Sequence, residues 1–332
     1  MLLAEKQQQI LTLLADGQFH SGTDLAKRLT ISRAAVWKHV QALIALGLNF
    51  SAVTGKGYRL ERGLELLSEP VILSNMSLSA RAHLAVLELH SQLDSTNRYL
   101  LAAASAKAPS GTVCMTEYQT AGRGRRGRQW VSPFGSNIYL SLLWHFQLGY
   151  AGAAGLSLAI GVAVIRALSA LNITGVGLKW PNDIYCQGKK LGGILIEMAG
   201  ESDGPCVAVV GLGLNCFLSE SHAQTIEQPW TDLSKIAVDK TVGRNRLAAA
   251  LISHLLSVLA EFERCGIRHY IDEWRCYDVM HNRHAQLMIA EQAYTGIIRG
   301  IDDNGLLLFE HHDGRIQAYA SGEVSFNGGA VS

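Results

Sequence analysis

Hydrophobic and polar positions follow a helical period at the start of the chain. Leu3, Ile10, Leu11 and Leu14 share one face of an amphipathic helix that we predict over residues 3–15. This spacing places the apolar side chains on a single stripe, which must pack against other elements. The chain therefore begins with a helix that belongs to a small folded unit.

Two further helices are predicted from capping residues. Ser21 caps a short second helix, and Ser32 caps a third helix that Gly47 ends. Val36, Val40 and Leu43 form the apolar stripe of the third helix. Its other faces carry small and polar side chains, as insertion into a DNA groove requires: Arg33, Ala34, Trp37, Lys38 and Gln41.

The pattern then changes to two strand-like runs, Phe50 to Val53 and Gly57 to Leu60, joined by a turn that carries Lys56. A strand pair after a helix-turn-helix is typical of a winged helix, whose wing contacts phosphates. We predict this domain over residues 1–62, and a winged helix used only for protein contact is the alternative. The candidate DNA-binding residues are Gly22, Thr23, Ser32, Arg33, Ala34, Trp37, Lys38, Gln41 and Lys56.

The rest of the chain predicts an α+β body and a small β-domain. Residues 63–80 indicate a hinge, and 81–272 alternate strand-like runs with long helices near 156–171 and 246–265. We expect a mixed or antiparallel sheet with helices to one side. Short strands and glycine turns over 273–332 predict a small all-β barrel or sandwich. We assign this domain as an SH3-like β-barrel.

Charge separates the first domain from the rest. The chain has 332 residues, a 48% hydrophobic fraction and a net charge of +1, which excludes global disorder and a bulk polyanion binder. Residues 1–62 carry eight Lys and Arg against four Asp and Glu, whereas the remainder carries 21 against 24. A basic module on a faintly acidic body is consistent with nucleic-acid binding by that module alone.

Compartment signals favour the cytoplasm. The six cysteines show no C-x-x-C pairing, which is typical of free thiols in a reducing compartment. Early polar residues exclude a signal-peptide core, and the apolar stretch 151–171 contains Arg166, glycines and serines. We predict that this stretch is a buried helix rather than a membrane span.

An arginine loop, defined as Gly122 to Trp130, is the most distinctive stretch. Its three glycines alternate with four arginines, so a mobile backbone carries groups that suit carboxylate and phosphate. Trp130 offers a flat face for stacking. We expect the loop to close over a polyanionic ligand, and a solvated loop or an RNA-binding segment are the alternatives.

Further candidate chemistry lies in the segment from Lys179 to Lys190. Lys179, Asn182, Asp183 and Lys190 supply cations and one carboxylate, a combination suited to transfer at phosphorus. Asp183 beside Asn182 could hold Mg²⁺ through water or accept a proton from an amine. A P-loop, a dinucleotide fingerprint and an H-E-x-x-H zinc site are excluded by their missing motifs.

In combination these motifs resemble the bifunctional biotin protein ligase and biotin operon repressor family, the BirA type, along nearly the whole chain. The matching runs, in chain order, are 32–39, 55–58, 94–97, 122–130, 179–183, 190–197, 211–215 and 299–302. The segment 319–322 departs from the family pattern, which leaves the C-terminal domain without an assigned role in ATP or carrier binding.

The resemblance implies a two-step reaction. Biotin and Mg-ATP give biotinyl-5′-AMP, whose biotinyl group passes to a lysine of a biotin carboxyl carrier protein. It also implies a homodimer that, with biotinyl-5′-AMP as co-repressor, binds operator DNA. A lipoate or other acyl ligase, or a regulator without catalysis, are the alternatives. For Ser95 and Thr96, simple helix capping is the competing interpretation.

Site roles follow from the same resemblance. The catalytic residues are Lys190, Arg125 and Asp183, the last also a candidate for Mg²⁺. Biotin would be held by Ser95, Thr96, Asn97, Gln119, Gly122, Arg123, Gly124, Arg125, Lys190, Gly193 and Gly211. ATP and the adenylate would be held by Arg123, Arg125, Arg128, Trp130, Lys179, Asn182, Asn215 and Trp230.

Overall fold

The structure is a computed structural model that describes residues 4–147, 149–200, 204–237 and 242–326. The N-terminal unit folds as predicted, and Leu3 lies outside the described residues. Ser21 and Ser32 cap their helices by accepting hydrogen bonds from Asp24 N (3.0 Å) and Ala35 N (3.1 Å). The elements are α1 (Glu5–Leu14), α2 (Gly22–Leu29), α3 (Arg33–Ala45), β1 (Phe50–Val53) and β2 (Gly57–Leu60).

The predicted apolar stripes form the core of this unit. Ile10, Leu11 and Leu14 of α1 are buried against Val36 and Leu43 of α3. The two strands form the predicted antiparallel wing. Phe134, from the body of the protein, is buried in the same cluster, so the winged helix packs directly on the body.

The body is built on a seven-stranded mixed sheet, with strand order β3-β4-β5-β9-β8-β7-β6. The β3–β4 pair is parallel and the remaining pairs are antiparallel. The strands are β3 (Val86–His90), β4 (Thr112–Thr116), β5 (Ile138–Phe146), β6 (Val176–Lys179), β7 (Asp183–Cys186), β8 (Lys189–Gly200) and β9 (Cys206–Leu214).

Helices cover both faces of this sheet, so the expectation of helices on one side was wrong. Val113 and Met115 face the main core, whereas Cys114 between them packs with Leu100 in a separate cluster. Alternate side chains of a strand point to opposite faces, which places one helix on the second face. The helices are α4 (Glu69–Asn75), α5 (Leu78–Arg81), α6 (Thr96–Ser105), α7 (Gly149–Gly152), α8 (Leu156–Ala170), α9 (Glu220–Ala223), α10 (Leu233–Ile236), α11 (Arg244–Cys265) and α12 (Arg268–Cys276). Leu100 lies on α6.

The apolar stretch predicted as a buried helix forms α8. The segment Gly149–Ala170 has the length and composition of a membrane span, but 61% of its most apolar window is buried inside the protein. It packs against α11 and α12. A core helix of this kind passes the same length and hydropathy test, so the prediction of a buried helix is supported.

The C-terminal strands form a five-stranded antiparallel sheet with order β13-β12-β11-β10-β14. Two elements here were not predicted, namely α12, which contains the predicted domain boundary at residue 272, and the last strand. The strands are β10 (His284–Ile289), β11 (Gln292–Ile301), β12 (Leu307–His311), β13 (Ile316–Tyr319) and β14 (Glu323–Ser325).

Candidate active site

A cleft, partly open to solvent, lies beside the centre of the large sheet. Fifteen of the residues predicted for biotin, ATP or catalysis line it: Ser95, Thr96, Asn97, Gln119, Arg123, Gly124, Arg125, Arg128, Trp130, Lys179, Asn182, Asp183, Lys190, Gly193 and Gly211.

One end of the cleft is neutral and hydrogen-bonded. The Gln119 side-chain oxygen accepts from Thr96 N at 3.0 Å, and its Nε2 donates to Ser132 Oγ at 2.9 Å. Ser141 Oγ lies 2.7 Å from Thr96 Oγ1 and 2.6 Å from Asn97 Oδ1. Gln119 is half-buried and the other groups are buried, and they are fixed by one another, so they form a preorganised set of donors and acceptors. Such a set can recognise a small polar group.

Simple capping does not explain Ser95 and Thr96. Ser95 is the N-cap residue of α6 but makes no side-chain capping bond, and Asp94 Oδ1 accepts from Ser95 N instead. Both side chains are buried in the cleft lining. The capping alternative is therefore wrong for these two residues.

The other end of the cleft is cationic. Lys190 Nζ lies 2.7 Å from Asp183 Oδ1, and Lys179 Nζ lies 3.9 Å from Asp183 Oδ2. Burial lowers the pKa of Lys179, although Asp183 opposes this shift. The antiparallel pairing of β7 with β8 sets Asp183 opposite Gly193, a neighbour without a side chain. Two ammonium groups therefore face one carboxylate, leaving net positive charge for a ligand.

The arginine loop closes over this end, and acidic or polar groups hold its side chains. Arg123 pairs with Glu197, and Arg125 Nη1 donates to Asn182 Oδ1 at 2.9 Å. Burial, followed by the charge of a neighbouring arginine, lowers the pKa of Arg125. The chain reverses inside the loop because Arg126 adopts a left-handed conformation with φ of 54°.

Glu323 of β14 reaches the same loop. It pairs with Arg128, and its Oε2 lies 3.6 Å from Arg126 Nη1. Sequence reasoning missed this contribution, because residues 319–322 depart from the family pattern and β14 is only three residues long. The C-terminal domain thus supplies part of the cleft wall, through Gly322, Glu323 and Val324.

Trp130 lies between the two ends. Lys190 Nζ is 5.8 Å from the centre of its ring, and the ring packs on Gly213, where a Cβ would lie 2.5 Å from Trp130 Cε2. Gly213 and the β5 residue Tyr139 line the cleft but were not predicted. Alternation along β5 and β9 could have identified them. Gly211 is equally constrained, because an added Cβ would collide with the Asn97 amide.

Three predicted residues lie outside the lining that the described residues form. Gly122 packs under the Trp130 carbonyl and Ser132, so it shapes the loop base. Asn215 Nδ2 donates to Thr231 O at 3.1 Å, and Trp230 has Lys235 Nζ 3.8 Å from its ring centre. Gln228 of the same loop reaches the cleft instead. Contacts of Asn215 and Trp230 with a nucleotide remain predictions.

Most of the predicted DNA-contacting residues of the winged helix are exposed. Trp37 is 53% exposed, which is unusual for tryptophan and is consistent with an interface. Lys56 on the wing lies over the Phe19 ring at 5.8 Å. Ser32 is occupied as the cap of α3. The exposed members are Thr23, Ser32, Arg33, Ala34, Trp37, Lys38, Gln41 and Lys56, and Gly22 is half-buried.

Comparisons with known proteins agree with this arrangement along almost the whole chain. The chain is 41% identical to the bifunctional ligase/repressor BirA of Escherichia coli and 42% identical to that of Salmonella typhimurium. These matches cover 96% and 95% of this chain and 96% of each relative. The chain belongs to this bifunctional ligase/repressor family. The resemblance inferred from the motifs is therefore confirmed.

Three family models match separate regions of the chain, and a solved structure matches most of its length. Residues 89–215 match the biotin/lipoate A/B protein ligase family, 6–59 an HTH domain and 287–327 the biotin protein ligase C-terminal domain. The biotin protein ligase from Aquifex aeolicus, solved with biotin and ATP, is 26% identical with a TM-score of 0.60. That match covers 72% of this chain and 97% of the other.

Proposed function

We propose that the protein joins biotin to ATP in this cleft and passes the biotinyl group to a lysine of a biotin carboxyl carrier protein. The supporting observation is that a neutral hydrogen-bonding end and a cationic end meet in one cleft. Lys190 of the cationic end lies 5.8 Å from the ring of Trp130, which separates the two ends. Biotin has a polar ureido ring and a carboxylate, and ATP brings the phosphates. The two ends match the two substrates.

In the first step a biotin carboxylate oxygen attacks the α-phosphorus, and the bond to the pyrophosphate oxygen breaks. Lys190 holds the carboxylate and the α-phosphate together. Arg125 and Arg128 stabilise the negative charge that develops on the phosphates. Arg123, Lys179 and Asn182 complete the nucleotide end. The closed loop excludes water from the mixed anhydride, which would otherwise hydrolyse.

In the second step the ε-amine of the carrier lysine attacks the acyl carbon, and AMP leaves with the bonding electrons of the carbon–oxygen bond. Asp183 accepts the proton of the amine. Its carboxylate is 15% exposed and lies 2.7 Å from Lys190 Nζ. The intact Lys190–Asp183 pair favours an enzyme over a regulator that has lost catalysis.

The site suits a magnesium ion that is bound mainly by the phosphates of the nucleotide rather than by several protein side chains. Among the described residues, no group of three His, Cys, Asp or Glu side chains could hold a metal ion. Asp183 is shared by two lysines. Mg²⁺ commonly keeps several waters and binds substrate phosphates, where it neutralises charge. A contact through Asp183 therefore remains a prediction, and no step above depends on it.

We also propose that the winged helix binds operator DNA as part of a homodimer with biotinyl-5′-AMP as co-repressor. β8 pairs with β7 only as far as Gly193, whereas its pairing with β9 continues to Gly200. In the described part of the sheet, residues 196–200 thus have one edge without a strand partner, where a second copy could pair. Glu197, which holds Arg123 of the loop, lies on this segment.

We place the protein in the cytoplasm. All six cysteines are free thiols, and Cys114, Cys186 and Cys206 are buried. Free buried thiols are typical of a reducing compartment. Both substrates and the carrier are also available there, so the assignment agrees with the proposed reaction.

Incubation with biotin, ATP and a carrier domain tests the ligase activity. We expect biotinylated carrier and release of pyrophosphate, and absence of both would reject the proposal. Competition between biotin and lipoate in adenylate formation distinguishes a biotin ligase from the alternative lipoate or other acyl ligase. A mobility-shift titration on operator DNA, with and without biotin plus ATP, tests the repressor.

A further inference from the structure

The linker between the winged helix and the ligase body is fixed at both ends. Leu64 N donates to Ala15 O at 3.1 Å, at the end of α1. Farther along, Leu67 N donates to Glu117 Oε1 at 2.5 Å and Ser68 N donates to Asn245 Oδ1 at 2.7 Å. The linker therefore contacts the winged helix on one side and the body on the other.

Glu65 of this linker caps a helix that lies almost 180 residues away in the chain. Its carboxylate accepts from Arg244 N at 2.5 Å and from Asn245 Nδ2 at 2.8 Å, at the start of the 22-residue helix α11. Free N–H groups and the helix dipole favour a carboxylate there. Arg244 Nη1 also donates to Glu65 O at 2.7 Å.

Glu117 and Arg244 form a buried ion pair behind this cap. Glu117 Oε2 lies 2.7 Å from Arg244 Nη1, and the two side chains are only 7% and 6% exposed. Burial disfavours the charged guanidinium, but the attraction of Glu117 outweighs it and the pKa of Arg244 is raised. Arg244 therefore remains charged, and separation of the pair would leave its buried charge without this partner.

Glu117 also forms the base of the segment that carries the arginine loop. Its carbonyl accepts from Gly135 N at 2.9 Å, which ties the two ends of segment 117–135 together. Gln119, two residues farther on, belongs to the neutral end of the cleft. At the other end, Phe134 is buried in the core of the winged helix. Segment 117–135 thus connects the cleft, the arginine loop and the winged helix.

We propose that Glu65, Glu117, Arg244 and Asn245 form a linker joint that makes the base of the arginine loop and the linker move together. Closure of the loop on its ligand is then transmitted to the winged helix within one chain, before any contact with a second copy. The inference rests on the proposed function, because it concerns how the same cleft regulates DNA binding. These are positioning residues, since they do not line the cleft.

The test uses the full-length variant Glu65→Ala, because this carboxylate belongs to an exposed residue and its removal leaves the buried pair intact. Glu61→Ala, another exposed glutamate near the linker, is the matched control. The measurements are the rate of carrier biotinylation and the affinity for an inverted-repeat operator selected on the wild-type protein, with and without biotin plus ATP.

We expect the wild type and Glu61→Ala to gain affinity by about 5- to 150-fold with biotin plus ATP, the usual range of coupling between sites. Glu65→Ala should biotinylate the carrier normally but lose most of that gain. A full gain in Glu65→Ala would overturn the joint. If the wild type itself neither biotinylates nor binds DNA, the proposed function fails instead.

Hydrogen exchange in the wild type gives a second measurement that does not depend on a stable variant. The amides of Leu67 and Ser68 donate to Glu117 and Asn245, so their protection reports the joint directly. Biotin plus ATP should change the protection of both amides, together with those of the arginine loop. Protection of the loop alone, with the two linker amides unchanged, would contradict the proposal.

Discussion

The two ends of the cleft hold their polar side chains in different ways. At the neutral end, Ser95, Thr96 and Asn97 are at most 4% exposed. The bonds to Gln119 and Ser141 join uncharged groups, and the carboxylates of Asp94 and Glu197 accept from Ser95 N and the Asn97 amide. At the cationic end, the side chains of Arg123 and Arg128 are 37% and 60% exposed and pair with carboxylates from β8 and β14. The first end is fixed before a ligand arrives, whereas phosphate can replace the carboxylates of the second.

This difference has a physical cause. Discrimination between small polar groups requires donors and acceptors that cannot rearrange, since an unpaired buried group is costly. Binding of a charged and flexible triphosphate requires cations that can move toward it and then exclude water. The arginine loop supplies this movement, and the strands beneath supply the fixed groups.

The largest effect should come from Lys190, at the cationic end of the cleft. Lys190→Ala should lower the rate of biotinyl-5′-AMP formation by about 10²- to 10³-fold, because it removes a cation aimed at the transition state. Pyrophosphate release measures this. Lys189→Ala, at the exposed neighbouring position, is the control. Near-normal release from Lys190→Ala would mean that its role is misassigned.

Most residues of the cationic end could be predicted from the sequence, but fewer of the residues that surround them could. Lys179, Asp183, Lys190 and the arginine loop were found because their types and spacing carry chemistry. Glu323 could not be found, because its role depends on how the C-terminal sheet docks beside the cleft. Contacts between segments about 200 residues apart leave no local pattern.

The fold shows the same limit. Periodicity and caps predicted the winged helix and nearly every strand of the large sheet, because those signals are local. The position of α6 on the second face was missed, since it depends on which side of the sheet the chain crosses. Trp230 was assigned by resemblance, yet it packs with Lys235 outside the cleft lining. The domain boundaries at residues 62, 80 and 272 stay predictions.

A second prediction tests the rigidity of the neutral end. Gly211→Ala adds a Cβ that collides with the Asn97 amide, which cannot yield because Ser141 and Glu197 hold it. We expect the KM for biotin to rise by about tenfold or more, since disturbing a buried hydrogen bond costs about 1–3 kcal/mol. The KM for ATP should change little. Biotin titration of adenylate formation checks both.

Gly193→Ala is the comparison variant. Gly193 was also assigned to biotin by the resemblance, but its added Cβ would meet only Lys190 and Asp183, in ordinary contacts at 3.4 Å or more. It lies near Lys190 and Asp183, at the cationic end. A similar loss of biotin affinity in both variants would show that any substitution in these strands disturbs the cleft. The contrast between a fixed and an adaptable end would then lose its support.

A third prediction concerns pH at the cationic end. Burial lowers the pKa of Lys179 below its ordinary value of 10.5, so this lysine loses its charge as pH rises at a lower pH than an exposed lysine. The KM for ATP should therefore increase in alkaline solution below pH 10.5, while the KM for biotin stays constant. Lys179→Arg should remove that increase, because arginine remains charged. An unchanged profile in Lys179→Arg would assign the increase to another group.

The smallest effect should be a difference in salt dependence. Exposed charges are screened over about 8 Å at physiological ionic strength and over about 3 Å at 1 M. The half-exposed arginines should therefore lose attraction for the triphosphate, and the KM for ATP should rise a few-fold between low and high salt. The KM for biotin should rise less, since most of its contacts are buried and neutral and only its carboxylate meets cations. Titrations of both substrates in potassium chloride measure this. A parallel rise of both constants would indicate that salt acts on the whole cleft, and that its two ends are not physically distinct.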